Sequence, residues 1–353
     1  MEPIANHQML ELTFQPAFSV RDGIIAYANQ AALQRQVSVG APMESLLCDN
    51  QEEYAAFREG CLYLPMSISG VRYSATLLWL DHQQIVLLDP EDAASELQAL
   101  SLAARELREP LTRIMTLSES LFSDLESAPE THSRIAGINR GFYQLLRLVG
   151  NMSDAGSRSV SRPELQDVTS VLQEIFDEAG DLCGNAGVTL TFRNLPAGVY
   201  SLIDSSRLER AIYNILSNSL KFTPAGGQIQ AQLDRRGNSL YLSMTDSGPG
   251  IDFSVAAQVF RRYCREPGIE DSRYGIGLGM SLIRAAAVAH GGTVLLDRNK
   301  NGGSRITLSL PIRQDTSALR SPVMRIDYAG ERNHGLIELS DSLPNELYGP
   351  RFD

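Results

Sequence analysis

Hydrophobic positions fall into distinct regimes along the chain. Residues 14–90 mix short β-like runs (Phe14 to Val20, Ile24 to Ala28, Tyr73 to Leu80, Gln84 to Leu88) with polar turns such as Arg21-Asp22-Gly23. The last two runs flank Asp81-His82-Gln83 and predict a hairpin. From residue 91 the period changes. Leu97, Leu100, Ala104, Leu107, Leu111, Ile114, Ser118 and Leu121 follow spacings of 3 and 4, a heptad seam. Pro129 breaks the chain, and a second seam follows at Ile135, Ile138, Phe142, Leu145, Val149 and Met152. Two amphipathic helices with a short break predict an antiparallel hairpin. One hairpin cannot bury both seams, so a dimeric four-helix bundle is expected. Pro110 removes a backbone hydrogen bond and should kink the first helix. Residues 155–163 have linker composition. A mixed α/β region then runs to about Pro311. The tail from Ile312 carries one apolar patch around Leu336 to Leu347 and is expected to dock on that region.

Length and composition narrow the class. At 353 residues two or three domains are expected, and an apolar fraction of 43% excludes a mostly disordered chain. A formal charge of -11 argues against a nucleic-acid partner. Cys48, Cys61, Cys183 and Cys264 lack metal-site spacing, which predicts reduced thiols and a cytoplasmic location. Met1-Glu2-Pro3-Ile4-Ala5-Asn6 has no basic-then-apolar pattern, so no signal peptide is expected. The lack of a run of about 18 apolar residues predicts no membrane span.

Three motifs carry candidate chemistry. In the first, Asn214, Asn218 and Lys221 share one face of a helix, away from the apolar stripe Leu208, Ala211, Ile212 and Ile215. Ser206 and Glu209 have capping-box spacing, which starts that helix near Ser206. A carboxamide oxygen suits Mg²⁺ and an ammonium offsets phosphate charge, although such a stripe also fits a solvated face. The second is Asp246-Ser247-Gly248-Pro249-Gly250, where Asp246 continues the face of Leu240, Leu242 and Met244. A carboxylate on a core face needs hydrogen-bond donors. An adenine amino group would serve, and so would a turn. The third, Gly275-Ile276-Gly277-Leu278-Gly279-Met280, opens an apolar helix and could bind an anion at its N-terminus. Glu266 to Tyr274 precedes it and could form a lid.

Together the motifs resemble the N, G1 and G2 boxes of the GHKL ATP-binding fold shared by histidine kinases, gyrase, Hsp90 and MutL. Val259 to Arg265 resembles the kinases' F box, and His290-Gly291-Gly292 with Gly303-Ser304 resembles the end of their domain. Arg105-Glu106-Leu107-Arg108-Glu109-Pro110-Leu111 resembles the phosphoacceptor motif of bacterial sensor histidine kinases, with Arg105 in the histidine's place. Asp22 to Asn29 resembles an early PAS segment. The likeness covers roughly residues 95–311.

The resemblance implies an α+β multidomain chain. Residues 1–90 would be a PAS-like sensor, 91–154 the dimerisation hairpin, 155–163 a linker, 164–312 a GHKL (Bergerat) α/β sandwich and 313–353 a tail without assigned role. It implies ATP and Mg²⁺ as cofactors. Asn218 would hold the metal, Asn214 and Lys221 would face phosphates, Asp246 would read adenine, and Gly248, Gly250, Gly275, Gly277 and Gly279 would shape the pocket and lid. Arg265 would support the triphosphate or the fold, Glu106 would be the base, and His290 is expected to be structural. Superfamily ATPases carry a water-activating glutamate where this chain has Asn214, a poor base, so autonomous hydrolysis is disfavoured.

A guanidinium has no lone pair to take a phosphoryl group, so acceptor chemistry at Arg105 is lost. Glu109 replaces the Thr or Asn of phosphatase chemistry and would repel an aspartyl phosphate. His132, near the hairpin turn, is expected to be exposed and remote from the catalytic domain. The expected protein is a two-component sensor-kinase relative that is homodimeric, or heterodimeric with another kinase, with a response regulator as possible partner. The alternatives are a kinase acting in trans on a partner and a non-catalytic, nucleotide-regulated interaction module.

Overall fold

The computed structural model describes residues 10, 15–80, 83–88, 104, 107, 111–116, 118, 129–156, 163–196, 198–250, 279–299, 302–313 and 333–349. Strands β1 (Ala17–Arg21), β2 (Ile24–Ala28), β3 (Cys61–Ile68), β4 (Val71–Leu80) and β5 (Gln83–Leu88) form an antiparallel group in the order β2-β1-β5-β4-β3. Between β2 and β3 lie the short helices α1 (Gln30–Gln34) and α2 (Gln51–Ala56). The hairpin expected around Asp81-His82 is present as β4 and β5, with Leu80 opposite Gln83. Three details differ from expectation. β1 starts at Ala17 rather than Phe14, β4 starts two residues earlier than Tyr73, and β3 carries no period-two signal.

The reason for the third difference is that β3 is buried on both faces. Leu62, Leu64, Met66 and Ile68 enter one core with Phe18, Ile25, Phe57 and Val86. Cys61 and Tyr63 enter the main core with Val171, Ile212 and Leu296. A strand covered on both sides reads as a continuous apolar run, not as an alternation.

The second helix of the expected hairpin is α3 (Pro129–Gly156), with proline at its first turn, where a missing N–H costs least. Its expected seam divides. Ile135 and Val149 are buried, whereas Ile138 and Leu145 are exposed, as are Leu107 and Ile114 of the preceding segment. Within the chain the buried contacts fall instead to Leu146, which packs with Met115 and Ile337. Pro110 and its kink lie outside the described residues. His132 is half-buried rather than exposed, with Nε2 shielded from solvent.

The remaining elements are β6 (Glu164–Asp167), α4 (Val168–Asn185), β7 (Thr189–Arg193), β8 (Tyr200–Ile203), α5 (Ser205–Phe222), β9 (Gln228–Arg236), β10 (Ser239–Asp246), α6 (Gly279–His290), β11 (Val294–Arg298), β12 (Ser304–Pro311) and α7 (His334–Glu338). Strands β11-β12-β10-β9-β7 form a sheet, with β7 parallel to β9 and the other pairs antiparallel. Apolar residues of α4, α5 and α6 share one core with the sheet, an α/β sandwich.

The two sheets are continuous. β3 pairs antiparallel with β11, placing Cys61 opposite Leu296, Leu62 opposite Leu295 and Tyr63 opposite Val294, in a sheet of 10 strands. Gly60 permits this approach: it adopts φ +91°, and a Cβ there would collide with Leu296 O. The Arg284 guanidinium of α6 lies 4.0 Å from the Tyr63 ring centroid, and Tyr241 of β10 donates to Glu53 of α2 at 3.2 Å.

Candidate functional site

Helix α5 is positioned from its first residue. Asp204 is the N-cap, and its side chain accepts from Arg207 N at 3.2 Å. The expected capping box at Ser206 and Glu209 does not form. Ser206 Oγ donates to Asp204 Oδ1 at 2.7 Å, and buried Glu209 lies 3.3 Å from His334 Nδ1. Asp204 N–H in turn donates to His290 Nε2 at 3.0 Å, while His290 Nδ1 lies 2.7 Å from Ala286 O. These partners assign the neutral ring with its proton on Nδ1. Burial lowers the His290 pKa, partly opposed by the Ala286 contact. His290 is therefore a brace between α6 and the start of α5, in line with its expected structural role.

Leu208, Ala211, Ile212 and Ile215 are buried as expected. On another face, buried Asn214 donates from Nδ2 to Arg210 O at 2.8 Å. A Cβ at Gly279 would stand 3.1 Å from Asn214 Oδ1 and 4.0 Å from Asn218 Nδ2. Half-exposed Asn218 has Nδ2 3.7 Å from Met280 Sδ. The N-terminus of α6 thus abuts both amides. Lys221 donates to Asp341 Oδ2 at 3.2 Å.

Asp246 ends β10 on the core face, as its alternation with Leu242 and Met244 predicts. Its Oδ1 accepts from Gly248 N at 2.9 Å and Ser304 N at 3.1 Å. Burial raises its pKa, and the two backbone donors partly offset that. Glycine at 303 is required, because its φ is +85° and a Cβ would collide with Asp246 O. Gly248 is also confined, since a Cβ would lie 2.8 Å from Phe222 O. That contact sets the Asp246 turn against the end of α5. Gly250, at φ +84°, faces Gly303 O, 3.2 Å from where a Cβ would be.

The structure therefore brings Asn214, Asn218 and Gly279 together and sets Asp246 and Gly248 beside the C-terminal end of their helix, with Gly250 against Gly303. Arg105, Glu106, Glu109, Arg265, Gly275, Gly277 and the lid segment 266–274 lie outside the described residues. Sequence reading missed Ser304 N–H as an Asp246 donor, because a backbone group leaves no residue signature. It also missed Arg147, Arg210, Glu338 and Asp341, which form a buried charged cluster only after distant segments meet. No helix among the described residues is long and apolar enough to cross a membrane.

Residues 203–314 match the family described as "Histidine kinase-, DNA gyrase B-, and HSP90-like ATPase". The chain is similar to Histidine kinase P4 of Formosa agariphila, 26% identical over 226 residues that make up 62% of this chain and 16% of that protein. It is 29% identical to Histidine protein kinase DivJ of Caulobacter vibrioides over 228 residues, 62% of this chain and 38% of DivJ. The chain thus spans well under half the length of both. Full-length ShkA in complex with AMPPNP superposes with a TM-score of 0.50 at 20% identity, covering 62% of this chain and 46% of ShkA, a likeness of fold. Residues 203–314 are therefore similar to the histidine kinase-, DNA gyrase B- and HSP90-like ATPase family, in a chain whose relatives named above are histidine kinases.

Proposed function

We propose that this chain is a cytoplasmic sensor-histidine-kinase-like protein of a two-component system that binds ATP–Mg²⁺ and lacks the usual acceptor. The observation that carries the reading is the meeting of Asn214 and Asn218 with the start of α6, beside the buried Asp246 turn. The donor set fits the group. Among the described residues both donors to Asp246 bond Oδ1, which would leave Oδ2 to accept from an adenine amino group. Asn218 supplies the hard oxygen that Mg²⁺ prefers, and Lys221 supplies charge for phosphates. Gly279 leaves room beside both asparagines. When bound, ATP would supply the transferable γ-phosphoryl group. Asn214 would hold position without activating water, since an amide is no base near neutral pH.

Upstream, the strand order β2-β1-β5-β4-β3 with intervening short helices supports a PAS-like sensor over residues 1–90. The exposed Leu107, Ile114, Ile138 and Leu145 support a dimeric four-helix bundle built from residues 91–154. Arg105 would end self-phosphorylation at that position, leaving conformational control of a partner such as a response regulator. A second reading keeps the same site and transfers phosphate in trans to another chain. The test is purified protein with Mg²⁺ and γ-labelled ATP, alongside Arg105→His. Acid-labile label on the variant alone supports the proposal. Label on the unmodified chain would overturn it and direct attention to His132.

A further inference from the structure

The tail is expected to dock on the ATPase domain, but residues 333–349 also bind the hairpin helix. Leu336, Leu339, Leu343 and Leu347 enter the main core, while Ile337 packs with Met115 and Leu146. On the hairpin side, Arg140 donates to Ser340 O at 2.9 Å, Asn345 Oδ1 at 2.9 Å and Asp341 O at 3.2 Å. Asn139 donates to Tyr348 O at 3.0 Å. On the ATPase side, Ser342 Oγ donates to Ser217 O at 3.3 Å. Glu338, fully buried, lies 3.6 Å from Arg147 Nε and 3.5 Å from Arg210 Nε. Asp341 Oδ2 is shared by Arg147 Nη1 at 2.5 Å and Lys221 Nζ at 3.2 Å. One carboxylate oxygen therefore bridges α3 and α5.

We propose that residues 333–349 are an internal strap that holds Lys221 through Asp341 and competes with the phosphates of a nucleotide for that ammonium. The inference rests on the ATP-binding reading above. A phosphate brought to Lys221 would meet the Asp341 carboxylate, and like charges at such separations repel strongly in a buried setting. Nucleotide binding and strap docking then oppose one another through one lysine, and by linkage each weakens the other equally. Loss of the strap would release Lys221 from Asp341 and remove one of the ties between α3 and α5, leaving the bond from Arg210 to Asn151 Oδ1 at 3.2 Å.

The test titrates a fluorescent ATP analogue with Mg²⁺ into the full chain, Asp341→Asn and Arg140→Gln, and follows hydrogen exchange of residues 333–349. Asp341→Asn should tighten binding roughly tenfold, within the usual range of coupling factors. Arg140→Gln loosens the strap on the hairpin side and should tighten binding by a smaller factor. Saturating nucleotide should speed exchange across 333–349 in the unmodified chain. If Asp341→Asn does not fold, Arg140→Gln and the exchange measurement carry the test. Unchanged affinity in both variants would overturn the strap and leave the ATP reading standing. Tightening in Asp341→Asn alone, with exchange unchanged, would reduce the effect to local charge and also overturn the strap. No binding by any protein would overturn both readings.

Discussion

His290 and Asp246 show how single side chains connect fold to site. The His290 brace requires a neutral ring, because Nε2 must accept from Asp204 N–H. Asp204 favours its protonation, while Arg207, Arg313 and burial oppose it, and burial dominates. Since the folded-state pKa is lowered, the unfolded chain binds the extra proton first. Stability is therefore full above the ordinary histidine pKa of about 6.5 and declines as pH falls below it. Thermal melts between about pH 6.5 and 5 should show this decline, and His290→Gln should flatten it. Replacement by alanine removes both partners and should cost about 1–3 kcal/mol. For Asp246, changing the carboxylate to the amide keeps the shape but weakens acceptance. Asp246→Asn should lower affinity for an adenine nucleotide about tenfold or more by calorimetry, the scale of one charge-assisted bond of roughly 1.5–3 kcal/mol. An unchanged affinity would remove Asp246 from adenine recognition. Both residues are visible in sequence, but their partners are backbone groups, Asp204 N and Ala286 O for His290 and Gly248 N and Ser304 N for Asp246, which leave no residue signature.

At the scale of elements, legibility tracked how one-sided each burial is. β2 and the β4–β5 hairpin were readable because polar turns bound them. The face of α5 was readable because Leu208, Ala211, Ile212 and Ile215 repeat at helical spacing. β3 was not, because both of its faces are apolar and Pro65 interrupts the run. The start of α5 fell within one residue of its expected place, but its cap was misassigned, because Asp204 rather than Ser206 takes it. The β3–β11 seam makes its own prediction. Gly60→Val combines an unfavourable φ with a collision against Leu296 O. It should destabilise the chain by about 2–3 kcal/mol in urea titrations and raise exchange at Val294 to Leu296. Protection unchanged at those amides would mean that the pairing does not depend on this approach.

At the scale of the whole molecule, α3 presents apolar residues that the described residues leave exposed. Ile138 and Leu145 are 47% and 42% exposed on α3, and Ile114 of the preceding segment is 48% exposed. Light scattering should report a dimer for the unmodified protein and a monomer for Ile138→Lys combined with Leu145→Lys, since lysines would desolvate poorly at that seam. A monomeric unmodified chain would contradict the bundle. The periodicity announced α3, yet it could not announce how the tail crosses it, because contacts between residues 140 and 345 depend on the finished fold.

The shared sheet bears on how the region from residue 164 to 313 can be handled outside its chain. Cutting it out at residue 164 would strip Cys61 to Tyr63 from the edge of β11. Val294, Leu295 and Leu296 would then offer unpaired amides and carbonyls beside apolar side chains, the template on which a foreign strand can add. Such a fragment should self-associate, so behaviour measured on it would describe an exposed edge that the intact chain keeps closed.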